Sequence, residues 1–162
     1  MSEPCDAAGR ISDASLAVEL FLSKDRAEAE KLAIKLCDIN KDRQLEENRI
    51  AKEAYAYIEE QSCADNSVII LDNPSWHHGI IGIVASRISE KYSLPAILIS
   101  FEGNEDPNDP EAIGKGSGRS VQGMNLVDAF SSCADLFEKY GGHELAVGLT
   151  IKKKNLAELS KR

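Results

Sequence analysis

The run Gly114-Lys115-Gly116-Ser117-Gly118-Arg119-Ser120 places three glycines, two serines and two cations in seven consecutive residues. A guanidinium fork, hydroxyls and backbone N–H groups freed by glycine are the donors that a phosphate or carboxylate needs. Two readings fit: a flexible loop in which Ser117, Gly118, Arg119 and Ser120 hold an anion ahead of a helix, or a structural turn. The spacing is not the triphosphate-binding pattern G-x-x-x-x-G-K-[ST]. Lys115 directly follows Gly114 and is itself followed by Gly116, so nucleoside-triphosphate hydrolysis is disfavoured.

Two more clusters carry potential chemistry. In Tyr140-Gly141-Gly142-His143, at the junction of an expected helix and strand, the glycines permit either a left-handed helix stop or close approach of a ligand. His143 is correspondingly either a half-buried packing residue or a donor to a ligand oxygen. In Trp76-His77-His78-Gly79, a strand gives way to a helix, where ligands gather in open α/β sheets and where the helix dipole favours an anion. His77, His78 and His143 are the chain's 3 histidines. Their spacing makes a poor tetrahedral set, so neither a zinc site nor any other metal or cofactor is expected on this chain.

The elements that must position these residues fall into two regimes. From Ser12 or Asp13 as N-cap, Leu16, Leu20 and Val18 suggest a short helical stripe. Between Arg26 and Gln61 there is neither glycine nor proline, and Leu32, Leu36, Ile39, Arg43, Ile50, Ala54 and either Tyr57 or Ile58 recur at helical spacing. A helix of that span would reach roughly 50 Å. Its polar middle, Asn40 to Arg49, interrupts the apolar stripe, as expected of a helix that connects two bodies. The second regime is α/β. Ser67–Asp72 and Pro95–Ser100 read as buried strands flanking an amphipathic helix with Ile80, Ile81, Val84 and Ile88, which predicts a parallel βαβ unit. An acidic loop follows from Phe101 to Glu111, then a short strand leading into the glycine-rich run. A helix capped by Asn125 and extending to Tyr140, and a last strand over Glu144–Ile151, complete the pattern. The expected fold is α/β, a mixed sheet flanked by helices, with a connecting segment over 1–62 and a domain over 66–162.

Composition limits the partners. With 27 Asp and Glu against 19 Lys and Arg, the formal net charge is −8, which opposes coating of nucleic acid by bulk charge. Any polyanion must be met at a local site. No apolar run approaches a membrane span, and the first ten residues lack the layout of a secretory signal, so a cytoplasmic protein is expected. Cys5, Cys37, Cys63 and Cys133 form no C-x-x-C pair and are expected to be reduced, inert thiols.

The segments "AAGRISDASLAVELFL", "LCDINKDRQLEENRIAKEA", "WHHGIIGIVASRISEKYSLPAILIS", "GKGSGRSV" and "GGHELAVGL", in this order, resemble the second half of the RecJ family of single-strand-specific DNA exonucleases, within the Asp-His-His phosphoesterase superfamily. The resemblance implies a connecting helix followed by a DHH-associated domain that holds single-stranded DNA, in a parent that degrades DNA 5′ to 3′ in repair and recombination. Hydrolysis in that family belongs to a separate N-terminal domain with two divalent metals, manganese or magnesium. No Asp-His-His run occurs here, so this chain is expected to be inactive alone and to pair with such a metal domain. By the same resemblance, Arg119 and the serines beside it contact DNA phosphates, Gly141, Gly142 and His143 face the scissile end, and Arg10 grips a 5′-terminal phosphate. Single-strand-binding protein or a helicase are partners implied by the resemblance alone. Alternatives are a module for a small phosphorylated nucleotide or a purely structural docking domain.

Overall fold

The computed structural model describes residues 9–10, 15–61 and 67–162. Ser12, Asp13, Cys5 and Cys63 therefore lie outside the described residues. The chain divides into two compact units, Met1–Arg49 and Ile50–Arg162, a division that falls inside the long helix.

In the first unit, α1 spans Ser15–Leu22 and α2 begins at Arg26. Leu16 and Leu20 are half-buried, but Val18 is 56% exposed and lies off the covered stripe. Asp25 starts α2, its side chain accepting from the Ala27 N–H at 2.7 Å. The helix runs unbroken from Arg26 to Glu60. Its polar middle does not abandon the buried stripe. Arg43 and Glu47 occupy stripe positions one turn apart and pair with each other, their side chains only 12% and 3% exposed. Continuity of the stripe is thus kept by a charge pair where apolar residues run out.

The second unit holds the last turns of α2 and a five-stranded sheet. The strands are β1 (Ile69–Asn73), β2 (Ala96–Ser100), β3 (Ile113–Arg119), β4 (Phe137–His143) and β5 (Ala146–Lys152). Their order is β1-β2-β3-β5-β4. β1 and β2 are parallel, joined by α3 (Ile81–Tyr92), which is the predicted βαβ unit. The remaining neighbours are antiparallel. α3 buries Ile81, Val84 and Ile88 on one face of the sheet. The C-terminal turns of α2 join that layer: Trp76 Nε1 donates to Glu53 at 2.9 Å, and the Tyr57 and Trp76 rings lie 6.3 Å apart. On the opposite face, α4 (Leu126–Ser132) and α5 (Leu156–Leu159) cover a core that includes Ile97, Ile99, Phe101, Val147, Leu149 and Ile151.

Two expectations from the sequence need correction. The glycine-rich run is not a loop: Gly114 to Arg119 lie in β3, at the centre of the sheet. The reason is period two. Gly114, Gly116 and Gly118 all face the core, where a Cβ on Gly116 would sit 2.7 Å from Leu149 Cγ. The glycines make room for the large side chains of neighbouring strands, and the alternate residues carry the polar chemistry on the other face. The second correction concerns the helix expected to reach Tyr140. It stops at Ser132, followed by a 3₁₀ turn at Ala134–Leu136, and Phe137–His143 pairs as an edge strand. The Phe130 and Phe137 rings stack at 4.7 Å, so the aromatic residues of this segment are satisfied across the turn rather than along one helix.

Asn125 is the cap that the sequence indicates, its side chain accepting from the Val127 N–H at 3.0 Å. Replacing it with alanine should cost about 1 kcal/mol, read as a lower midpoint in chemical denaturation with an unchanged slope.

Candidate nucleic-acid interface

The antiparallel register determines which side chains share a face. Arg119 pairs with Ala146, and Ala146 with His143, so the three lie in one row across β3, β5 and β4. At about 4.8 Å between strands, Arg119 and His143 start from backbones roughly 10 Å apart. Ser117, Gly148 and Gly141 form the next row, and Lys115, Thr150 and Lys139 the one after. The result is a patch about 13 Å long, at about 3.3 Å per residue, that carries three cationic side chains, a histidine and a stripe of small residues.

On this face α3 packs over β2 and β3, while Lys139, Gly141, His143 and Gly148 of the outer strands are exposed. Lys115, Lys139, Gly148 and Thr150 line a shallow groove there. Small residues under it let a ligand approach the backbone.

Arg119 is held in place from two sides. Its Nη1 donates to Ser117 Oγ at 2.9 Å and to the Gly118 carbonyl at 2.8 Å. The guanidinium also lies against the first turn of α3, where a Cβ added to Gly82 would meet Arg119 Nη2 at 3.0 Å and Ser117 Oγ at 2.9 Å. The positive end of α3 and the guanidinium thus converge on the same space, which favours an anion there.

Gly142 supports His143 through the backbone. Its φ is +149°, and a Cβ there would fall 2.2 Å from the Ala146 carbonyl oxygen. Only glycine lets β4 turn this tightly into β5 and deliver His143 to the exposed face.

The other sequence candidates have different places. Gly118 faces the core and contributes its carbonyl to Arg119. Ser120 donates its hydroxyl to the Met124 carbonyl at 2.7 Å, and its N–H to Leu145 at 2.9 Å, so both donors hold the turn into α4. Arg10 lies in the first unit, half-buried in a helical turn. His77 and His78 lie in the β1–α3 loop, outside the three rows. Their rings stack at 5.0 Å, His77 Nδ1 accepts from the Gly79 N–H at 3.0 Å, and His78 meets Glu102. Burial raises the Glu102 carboxyl, but hydrogen bonds from the His78 backbone and ring outweigh it and hold the group below the usual carboxylate range. Sequence reasoning missed Lys115, Lys139 and Thr150 as members of the patch. Alternation through β3, together with β4 read as a strand, is the signal that brings them in.

Among the described residues, Cys37 and Cys133 are free thiols outside the three rows, and burial pushes the Cys133 thiol up.

Residues 65–162 match the family described as the DHHA1 domain. This chain belongs to the DHHA1 domain family. The connecting helices extend the likeness beyond that domain. The chain is 36% identical over 157 residues to the single-stranded-DNA-specific exonuclease RecJ of Bacillus subtilis, a match covering 97% of this chain and 19% of the relative. RecJ of Haemophilus influenzae is 33% identical, over 94% of this chain and 27% of its own length. Among solved structures, Thermus thermophilus RecJ in complex with Mn2+ superposes with a TM-score of 0.81 at 32% identity, covering 98% of this chain and 22% of that one. An exonuclease RecJ bound to manganese gives 0.77 at 33% identity, over 98% of this chain and 37% of that chain. The chain therefore spans about a fifth to a third of the relatives it matches.

The described residues do not fit the two-metal centre that the resemblance to RecJ implies for a separate domain. Such a centre needs enough acidic and imidazole ligands to hold two ions a few ångströms apart. Among the described residues, the group of His, Cys, Asp or Glu within mutual ligand reach is His77, His78 and Glu102, three donors for one ion at most.

Among the described residues no helix is long and apolar enough to cross a membrane.

Proposed function

We propose that this chain is a strand-holding element of a RecJ-like single-strand-specific exonuclease, in which the exposed face of β3, β5 and β4 grips DNA phosphates while metals held by another domain cleave. The observation that carries this reading is the row Arg119–Ala146–His143, flanked by Lys115 and Lys139, on a face that small residues keep open to a backbone. In an overall acidic chain, Lys115, Arg119 and Lys139 share one face of the sheet, which is what local phosphate binding requires. Arg119 and Ser117 supply directed hydrogen bonds to a phosphate, and His143 meets the next oxygen along the row. Lys115 and Lys139 act as point charges further along the strand. The similarity to RecJ proteins supports single-stranded DNA as the polyanion and cleavage by a partner domain, with roles in repair and recombination and in the cytoplasm as part of the same reading.

A second reading, a pocket for one small phosphorylated nucleotide, rests on the same Arg119–His143 row but needs nothing from Lys115 and Lys139. Length dependence separates the two. Fluorescence anisotropy at low salt should show affinity rising from a dinucleotide to an oligonucleotide of about twelve residues, because additional phosphates reach additional cations. Lys115→Ala with Lys139→Ala should remove most of that gain while leaving dinucleotide binding unchanged. A dinucleotide that binds as tightly as the longer strand would decide for the small-nucleotide pocket.

A further inference from the structure

His77, His78 and Glu102 come from two separate chain segments, the turn after β1 and the residues after β2, and meet at the C-terminal ends of the two parallel strands. Each offers one ligand atom, and the three atoms lie within 4.8 Å of one another. His78 Nδ1 and Glu102 Oε2 are already 3.0 Å apart. Two ligands about 2.1 Å from a tetrahedral ion are separated by about 3.4 Å, so this hydrogen-bonded pair needs to open by only a few tenths of an ångström to share one ion.

The surroundings hold the group in place. The buried Ser100 hydroxyl donates to the Trp76 carbonyl at 2.5 Å and accepts from the Glu102 N–H at 3.2 Å, tying together the two segments that carry the ligands. Trp76, immediately before His77, is fully buried and anchored to Glu53. Glu102 also accepts from the His78 backbone N–H at 3.1 Å. These contacts resemble the outer hydrogen bonds that orient ligands in built metal sites. The three donors leave room for solvent or an anion: His77 is half-buried, while His78 and Glu102 are exposed.

We propose that His77, His78 and Glu102 form a mononuclear site for a divalent transition metal of the zinc class. Two imidazoles and one carboxylate suit zinc, cobalt or nickel better than magnesium or manganese, whose preference runs to oxygen donors. The ion clamps the β1–α3 loop to the end of β2, with its open positions toward solvent. To bind it, His77 gives up the hydrogen bond from Gly79 or presents Nε2 after a ring turn, and the ion replaces the proton shared between His78 and Glu102. This site lies outside the three rows of the phosphate-binding face proposed above.

The test uses tag-free, chelator-treated chain titrated by calorimetry with ZnCl2, and in parallel with MnCl2 and MgCl2. Uptake of one equivalent of zinc is expected, with weaker manganese binding and none resolved for magnesium. His78→Gln and Glu102→Gln should each weaken zinc binding by about 10–100-fold. Both side chains are exposed, so the variants should keep the parent's circular dichroism and melting curve. Cobalt substitution supplies a second readout: a visible spectrum of imidazole and carboxylate ligation that both variants lose. No stoichiometric zinc uptake, uptake unchanged in both variants, or a cobalt spectrum showing thiolate ligation would each overturn the proposal.

Discussion

Arg119→Ala should weaken binding of a single-stranded oligonucleotide by about 10–100-fold, since hydrogen bonds between charged partners contribute about 1.5–3 kcal/mol each. The loss should appear chiefly as a smaller electrostatic component. Each phosphate contact removed lowers the slope of log affinity against log salt by about 0.7 for single strands, so the variant's slope should fall by about that amount. His143→Ala should add to the loss, because the two side chains lie in one row on the strands that flank β5, close enough to serve oxygens of one phosphate or of successive phosphates. Arg119→Lys is the informative companion. It keeps the charge but loses the planar guanidinium, which anchors itself on Ser117 Oγ and the Gly118 carbonyl through Nη1, so it should recover the salt slope without recovering full affinity. Titrations at two or three salt concentrations distinguish these outcomes. Full affinity in the Arg119→Ala, His143→Ala double variant would remove the row from the interface.

The largest stability effect is expected at Gly142. A methyl group there meets a backbone carbonyl 2.2 Å away, in a conformation at φ +149° that residues with a Cβ rarely adopt. Carbonyl oxygens in a paired strand cannot step aside as a flexible side chain can, so the β4–β5 hairpin must deform. Gly142→Ala should cost about 1–3 kcal/mol from strain alone. In a unit of this size, that corresponds to a fall in melting temperature of about 10 °C. Gly141 is the internal control. It sits beside Gly142 on the exposed face, and a Cβ there meets nothing within 4 Å. Gly141→Ala should leave the melting temperature nearly unchanged and perturb only ligand binding. Thermal unfolding followed by circular dichroism compares the two directly, and equal losses would contradict the strain assigned to Gly142.

Local rules made the βαβ half legible in the sequence. Continuous apolar runs at Ile69–Leu71 and Ala96–Ile99, with an amphipathic stripe between them, leave few alternatives for burying so much aliphatic surface. The Asn125 cap and the length of α2 follow from equally local signals. The glycine-rich run misled because glycine content was read as flexibility, when in β3 it is a packing device that long-range neighbours demand. Nothing local to Gly116 discloses that Leu149 will lie against it. The residues Phe137 to Tyr140 are compatible with the end of a helix, and the edge pairing with β5 overrides it. That same pairing aligns His143 with Arg119, so the site's key residues could be named from sequence while their shared face could not. The charge pair Arg43–Glu47 shows the converse: a stretch that looks solvated holds two nearly buried ions because each satisfies the other.

A titration of isotopically labelled chain with a short single-stranded oligonucleotide, followed by NMR, measures directly whether one face of β3, β5 and β4 receives the strand. Chemical-shift changes should concentrate on Lys115, Ser117, Arg119, Lys139, Gly141, His143, Gly148 and Thr150, and fade on addition of salt. Shifts confined to α1 and the first turns of α2, or spread over the α4 side of the sheet with Arg119 and His143 unmoved, would show that the DNA lies elsewhere.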